Sequence, residues 1–142
     1  AGPSQTCTVH NGSGNVDRAD VTHVLVSCTE GGRFAYVANQ LSNDLSAYSI
    51  DSATGALTPI AGSPFAASGT APTALAVDPN GSYLYVVNNG SDNVSAYSIA
   101  AGGTLSAAGV PIPTGSAPDA VAVDPADHYV YVANFTATSV AA

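Results

Sequence analysis

Apolar residues in this chain fall into short runs of about four to eight residues, bounded by turns rich in Gly, Asn, Asp and Pro. Residues 74–77 form a run of small residues, 82–88 alternates aromatic and β-branched residues, and 94–99 and 105–112 follow as third and fourth runs. This pattern predicts four short β-strands. Because no helical 3.6-residue period of useful length occurs, we expect an all-β fold of four-stranded antiparallel units.

The four-strand pattern repeats along the chain. The motif Tyr-Val-x-Asn occurs at Tyr36, Tyr85 and Tyr131, which are 49 and 46 residues apart. Two further segments repeat in the same register: Ala-Pro-x-Ala-(Leu/Val)-Ala-Val-Asp-Pro, from Ala71 and again from Ala117, and (Leu/Val)-Ser-Ala-Tyr-Ser-Ile, at 45–50 and 94–99. A four-stranded antiparallel unit that recurs every 40–50 residues or so is typical of a β-propeller blade.

These repeats resemble the YVTN signature, which marks a class of propeller repeats similar to the lactonase-like seven-bladed propellers. The resemblance covers about Gly31 to the C-terminus and implies the propeller fold. It also implies action on strained cyclic esters, through charged or His residues around a central channel. No catalytic residue is carried over, because Arg18 and Arg33 lie in or next to the N-terminal segment and Glu30 is the only glutamate. Residues 6–29 resemble a small Cys-bracketed β module that precedes such repeats in secreted bacterial proteins.

We therefore divide the chain into an N-terminal β module, residues 1–30, and propeller-type repeats, residues 31–142. The blade periods lie near 34–82, 83–128 and, in part, 129–142. These roughly two and a third periods are fewer than the four to eight blades or so that close a propeller. Either the chain is a fragment, or copies associate through their open blade edges. Such self-association would give a filament by strand addition, or a ring of about seven blades from three copies.

Two cysteines, Cys7 and Cys28, bracket a predicted strand–turn–strand segment. A disulfide between them would close a loop of about twenty residues and stabilise the fold by roughly 3 kcal/mol. A metal pair or a reactive thiol is the alternative, although no Cys-x-x-Cys spacing is present. We favour the structural disulfide, which indicates an oxidising compartment.

Charge and composition narrow the choice of partner and location. Ten acidic residues stand against two basic ones, for a formal net charge of −8. Such a chain repels phosphate backbones, so we expect no nucleic-acid partner. No run approaches the roughly 18–20 apolar residues that span a bilayer. A Lys-free chain rich in small polar residues favours a secreted or cell-surface protein. The first residues have neither Met nor a signal region, which is typical of a mature N-terminus from which a leader has been removed.

Titratable residues offer few candidates for a site. The histidines are far apart in sequence, so we expect no metal and no cofactor. Four aspartates recur with the repeat, and a ring of carboxylates could bind Ca²⁺ or polarise a substrate. Capping of turn amides is the favoured interpretation. These candidates are His10, His23 and His128, and Asp44, Asp78, Asp92 and Asp124.

Asn and Tyr side chains allow two interpretations each. Asparagines at the ends of the Tyr strands could line a channel, but we favour a role in the following turn. Tyrosines of the repeat could stack on sugars, but packing between blades is favoured. Five Asn-x-Ser/Thr sequons would matter only in a glycosylating source. These residues are Asn39, Asn88 and Asn134, Tyr48 and Tyr97, and the sequons at Asn11, Asn80, Asn89, Asn93 and Asn134.

Motifs for nucleophilic catalysis are absent from the sequence: there is no Gly-x-Ser-x-Gly elbow, no phosphate-binding Gly loop and no His-Glu zinc helix. Together with the blade count, this absence favours a non-enzymatic, self-assembling extracellular structural protein. A fragment of a lactonase-like hydrolase and a ligand- or glycan-binding propeller are the alternatives. A chain that continues with further Tyr-Val-x-Asn periods would favour the hydrolase.

Overall fold

The computed structural model describes residues 5–10, 25–30, 33–136 and 140–141, and every regular element within these ranges is a β-strand. The all-β prediction is therefore confirmed. The chain divides into two compact units, Ala1–Gly32 and Arg33–Ala142. In the described ranges there is no helix that is long and apolar enough to cross a membrane.

The first unit contains one antiparallel strand pair, β1 (Gln5–His10) and β2 (Leu25–Glu30). Their register places Cys7 directly opposite Cys28. Directly opposed residues of an antiparallel pair have Cα atoms about 4.5–5.5 Å apart, a separation that a disulfide can bridge. The disulfide bond itself and residues 11–24 lie outside the part of the chain that the structure describes. The disulfide stays a prediction, as does the domain boundary at residue 30.

The second unit consists of three antiparallel sheets, which we call blade 1, blade 2 and blade 3. Blade 1 contains β3 (Phe34–Asn39), β4 (Asp44–Ile50), β5 (Leu57–Pro59) and β6 (Phe65–Ala66). Blade 2 contains β7 (Pro72–Val77), β8 (Tyr83–Asn88), β9 (Asn93–Ile99), β10 (Leu105–Ala107) and β11 (Ile112–Pro113). Blade 3 contains β12 (Pro118–Val123), β13 (Val130–Asn134) and β14 (Val140–Ala141).

Blade 2 shows the full repeat, with β7, β8 and β9 side by side and both β10 and β11 on the outer side of β9. The predicted fourth strand, 105–112, is thus two short strands. Gly109 between them has a φ of 93°, and prolines at 111 and 113 lack the N–H that a ladder needs. The sheet of blade 2 begins with β7 (Pro72–Val77). It therefore contains residues from both sides of the boundary between the sequence periods 34–82 and 83–128.

The core of the second unit lies between blade 1 and blade 2. The side chains of Leu45, Leu84 and Val86 are fully buried, and Tyr97 and Leu105 complete the cluster. Consecutive residues at the end of β8 are buried, as expected for a strand covered on both sides. Apolar packing between neighbouring sheets is what holds propeller blades together.

Strand order defines an inner edge and two faces. The edge strands β7 and β12 pack against each other, and β3 packs against β7, so β7 and β12 form the inner edge. The first face carries the turn at 89–92 and the segments that enter β7 and β12. The second face carries the turns at 78–82 and 100–104. A site formed by residues from several blades must lie at this inner edge or on one of these two faces.

Candidate functional site

On the first face, a turn of each blade binds the backbone of the next blade. The side-chain Oδ1 of Asn43 accepts a hydrogen bond from the Ala71 amide at 2.7 Å, and Oδ1 of Asp92 accepts one from the Ala117 amide at 2.8 Å. All four residues have positive φ, which Asn and Asp tolerate better than Ala. We call these two contacts the inter-blade latches. They fix the entry of β7 and β12.

Replacing Asp92 with alanine is expected to destabilise the chain by about 1 kcal/mol, because a latch is lost and a turn residue with positive φ loses its tolerant side chain. Asp92→Asn is the matched control, since Asn43 forms the same latch in the preceding blade. It should lie within about 0.5 kcal/mol of the parent chain. Urea unfolding monitored by tyrosine fluorescence measures both, and equal losses in the two variants would contradict the role of the latch.

On the second face, aspartates cap turns as the sequence predicted. Oδ1 of Asp78 accepts hydrogen bonds from the amides of Ser82 and Tyr83 at 2.7 and 2.9 Å. Asp124 does the same for His128 and Tyr129, at 2.6 and 2.8 Å. The hydrogen bond from the Tyr129 amide is the largest contribution that lowers the pKa of Asp124. These carboxylates stabilise turns.

The four recurring aspartates do not form one ring. Asp78 and Asp124 lie on the second face, whereas Asp92 belongs to a latch on the first face. Asp44 accepts a hydrogen bond from Nδ2 of Asn39 at 2.6 Å within its own hairpin. Asp44 also stands one residue later in the repeat than Asp92, because Asn43 holds the latch position. Within residues 33–136, no three His, Cys, Asp or Glu side chains converge as a metal site.

Asn39, Asn88 and Tyr97 have structural contacts within and between the blades. Nδ2 of Asn88 donates to Asn93 and Ser95 across the β8–β9 hairpin, each at 2.8 Å. Tyr97 is 2% exposed within the core between the blades, and its hydroxyl accepts a hydrogen bond from the Ser68 amide at 2.6 Å. The packing interpretation is therefore confirmed for Tyr97.

A second contact between blades involves a tyrosine of β3. The Tyr36 hydroxyl donates to the Gly103 carbonyl at 2.9 Å, which joins blade 1 to the turn at 100–104 of blade 2. Burial raises the pKa of Tyr36 to about 12. The hydroxyl therefore stays protonated, and remains a donor, across the physiological pH range.

One carboxylate stands apart from all of these structural roles. The pairing of β12 with β13 skips Asp119, and that of β7 with β8 skips Thr73, so each inner strand begins with a β-bulge. Bulges redirect side chains and are over-represented next to active sites. Asp119 is exposed at the inner edge on the first face. The neighbouring Pro118 carbonyl accepts hydrogen bonds from Nδ2 of Asn89 at 3.0 Å and Oγ1 of Thr73 at 3.4 Å.

Asp119 was missed by the sequence analysis, although a signal was present. It occupies the variable position of the repeated Ala-Pro-x-Ala motif, where a polar residue interrupts an otherwise small and apolar strand. Among the described side chains, His128 does not join it, and the side chain of His10 is not described. His128 lies on the second face against Tyr129, with ring centroids 6.3 Å apart, and His23 is outside the described residues.

Solved structures similar to this chain are longer proteins. A functionally unknown protein from Desulfotomaculum acetoxidans matches with a TM-score of 0.61 and 19% identity, over 78% of this chain and 38% of its own. A proposed 6-phosphogluconolactonase from Bacteroides fragilis matches with a TM-score of 0.63 and 27% identity, over 71% and 28%. Another, from Bacteroides uniformis, matches with a TM-score of 0.63 and 24% identity, over 79% and 37%. No curated protein sequence matches the chain significantly.

The chain spans 28–38% of the length of these structures. The sequence model of the family "Lactonase, 7-bladed beta-propeller" matches residues 7–142. This match overturns the expectation of a non-enzymatic protein, which rested on missing motifs and on an incomplete blade count. The filament function receives no support, and the lactonase alternative is favoured instead. The chain belongs to the lactonase family of seven-bladed β-propellers.

Proposed function

We propose that this chain supplies blades to a propeller hydrolase that opens lactones. The family match over residues 7–142 carries the proposal. Two similar structures are proposed 6-phosphogluconolactonases, which makes a sugar lactone the first substrate class to consider. The secreted location and the self-association expected from the sequence stay predictions.

Asp119 is the described residue best placed to act on such a substrate. Its carboxylate is exposed at the inner edge, where β7 and β12 meet, and the bulge turns it out of the strand ladder. A carboxylate there can accept a proton from a water molecule that attacks the lactone carbonyl carbon. The ring C–O bond then breaks, and the leaving oxygen takes up a proton to become a hydroxyl. The product is a hydroxy acid, whose ionisation releases one proton at neutral pH.

Charge favours a neutral lactone over a phosphorylated one. The formal net charge of the chain is −8. Arg33 is its only permanent cation within residues 33–136. Recognition of a phosphate group relies on Arg and Lys donors. We therefore expect glucono-δ-lactone to be hydrolysed in preference to its 6-phosphate.

The test is proton release from glucono-δ-lactone in weak buffer near pH 7, with the protein purified from its source so that its accompanying blades are present. The expected result is hydrolysis at least tenfold above the spontaneous rate. Asp119→Asn should lower this activity at least tenfold, since positioned bases contribute about 10²–10⁴-fold.

Asp127→Asn is the matched control, because Asp127 is exposed on the second face and is hydrogen-bonded to Asn80. It should retain full activity. No acceleration with any sugar lactone would refute the hydrolase. Unchanged activity in Asp119→Asn would refute the role of Asp119 as the base but not the hydrolase function.

A further inference from the structure

Two Asn-Gly-Ser tripeptides lie in the described part of the second unit, at residues 80–82 and 89–91. An asparagine that precedes glycine is prone to lose its side-chain amide, because glycine has no Cβ to keep its backbone nitrogen away from the asparagine Cγ. The two tripeptides are identical in sequence. A large difference in reactivity between them must therefore come from what the fold places around each one.

Asn89 and Gly90 are held by segments that are distant in sequence. The Asn89 amide donates to the Ala71 carbonyl and the Gly90 amide donates to the Thr70 carbonyl, each at 3.0 Å. Nδ2 of Asn89 donates to the Pro118 carbonyl of blade 3, also at 3.0 Å. A Cβ atom at Gly90 would lie 2.8 Å from Oγ1 of Thr70, so this glycine is closely packed. Its nitrogen cannot approach Cγ of Asn89 unless these contacts break together.

Asn80 and Gly81 are exposed in the turn at 78–82 on the second face. The Gly81 amide donates to the Asp78 carbonyl of the same turn at 3.0 Å. Gly81 has a φ of 70°, and a Cβ atom there would meet nothing within 4 Å. Nδ2 of Asn80 donates to Oδ2 of Asp127 in blade 3 at 2.7 Å, and both residues are exposed. Water competes for exposed hydrogen bonds, so this turn can open locally while the sheets stay intact.

We propose that Asn80 is a site of spontaneous deamidation in the folded protein, and that its conversion releases a contact between blade 2 and blade 3. The Gly81 nitrogen attacks Cγ of Asn80 and loses its proton, and the Cγ–Nδ2 bond breaks. Nδ2 takes up a proton and leaves as ammonia, and a succinimide ring remains. A water molecule then opens the ring to aspartate or isoaspartate.

The product has a carboxylate where Asn80 had an amide donor. This carboxylate faces Oδ2 of Asp127, which accepts the hydrogen bond at 2.7 Å before the reaction. Ionised carboxylates are acceptors only, and two of them close together repel each other. The hydrogen bond that joins blade 2 to blade 3 on the second face is therefore replaced by a repulsion, which salt weakens.

Peptide mapping by mass spectrometry, with the purified protein aged in mildly alkaline buffer, tests the site. Chymotrypsin cleaves after Tyr83 and Tyr85, so the two tripeptides fall in separate peptides. In the folded protein, Asn80 should convert at least tenfold faster than Asn89. In urea that unfolds the protein, the two rates should lie within about threefold of each other, because local sequence then dominates.

Variants test the release of the contact. Asn80→Asp should lower the midpoint of thermal unfolding, and by more at low salt than at high salt. Gln40→Glu is the matched control, since it makes the same change from amide to carboxylate at an exposed residue on the first face. It should leave the midpoint unchanged. Combining Asn80→Asp with Asp127→Asn restores one amide and one carboxylate to the pair, so this double variant should recover most of the loss.

Several outcomes would overturn the proposal. Equal rates at Asn80 and Asn89 in the folded protein, or no conversion at Asn80, would remove the site. A tenfold difference that persists in urea would assign the selectivity to flanking residues instead of the fold. Equal midpoints for Asn80→Asp and Gln40→Glu, or no recovery in the double variant, would contradict the release of the contact. The readouts are mass and stability, so failure here is independent of failure to hydrolyse lactones.

Discussion

Replacing Tyr97 with alanine is expected to destabilise the chain by about 3–5 kcal/mol, as for other buried aromatic residues. The ring is 2% exposed and packs among side chains of two blades. Its hydroxyl also accepts a hydrogen bond from the Ser68 amide at 2.6 Å and donates one to Ser68 Oγ at 3.0 Å. The free energy of unfolding of small proteins is about 5–15 kcal/mol. This one substitution is therefore expected to remove a large share of it.

Two controls separate the contributions of Tyr97. Tyr97→Phe keeps the ring and removes the hydroxyl bonds, so it should destabilise by only about 1–2 kcal/mol. Tyr129→Ala removes a tyrosine that is 59% exposed and should have an effect of less than about 1 kcal/mol. Urea unfolding midpoints measure all three. A loss for Tyr97→Ala no larger than that for Tyr129→Ala would show that the contact between blades contributes little.

Gly103→Ala is expected to destabilise by about 2–4 kcal/mol, through backbone strain and overpacking together. Gly103 has a φ of 81°, which L residues rarely adopt. A Cβ atom there would lie 2.5 Å from Cδ1 of both Phe34 and Ile60 of blade 1. The substitution would therefore push blade 1 away from the turn whose carbonyl accepts the Tyr36 hydroxyl.

Gly102→Ala is the matched control for Gly103, because it lies in the same turn and a Cβ atom there meets nothing within 4 Å. It should change the free energy of unfolding by less than about 0.5 kcal/mol. Circular dichroism during thermal unfolding compares the two. Similar unfolding temperatures for both variants would contradict the close approach of blade 1 to this turn.

The features that the sequence predicts well are those set by local chemistry. The Tyr strands follow from alternating apolar residues. The Asp78 turn follows from an Asp-Pro-Asn-Gly segment, because the amides that donate to Asp78, those of Ser82 and Tyr83, lie within five residues of it. The latches were not predicted, because Asp92 binds an amide 25 residues away, and only the packing of blades brings the two together. The bulge at Asp119 likewise depends on the pairing of β12 with β13.

The functional expectation failed for a related reason. Missing motifs argue against enzymes whose nucleophile and base lie on one local segment. In a propeller, a site is assembled from strand ends of several blades, so no short motif in this chain would reveal it. The proposed base, Asp119, stands at such a strand end, at the variable position of a repeated motif. This polar residue can be recognised as a candidate only when the strand is known to lie at the inner edge.

Blade 1 and blade 2 are joined by a hydrogen bond on each face. The Asn43 latch joins them on the first face, and the hydrogen bond from Tyr36 to Gly103 joins them on the second face. Two hydrogen bonds on opposite faces oppose rocking of the two blades about the line between them, and so favour one angle between their sheets. Loss of either bond is therefore expected to widen the range of angles between the two blades before it unfolds either sheet.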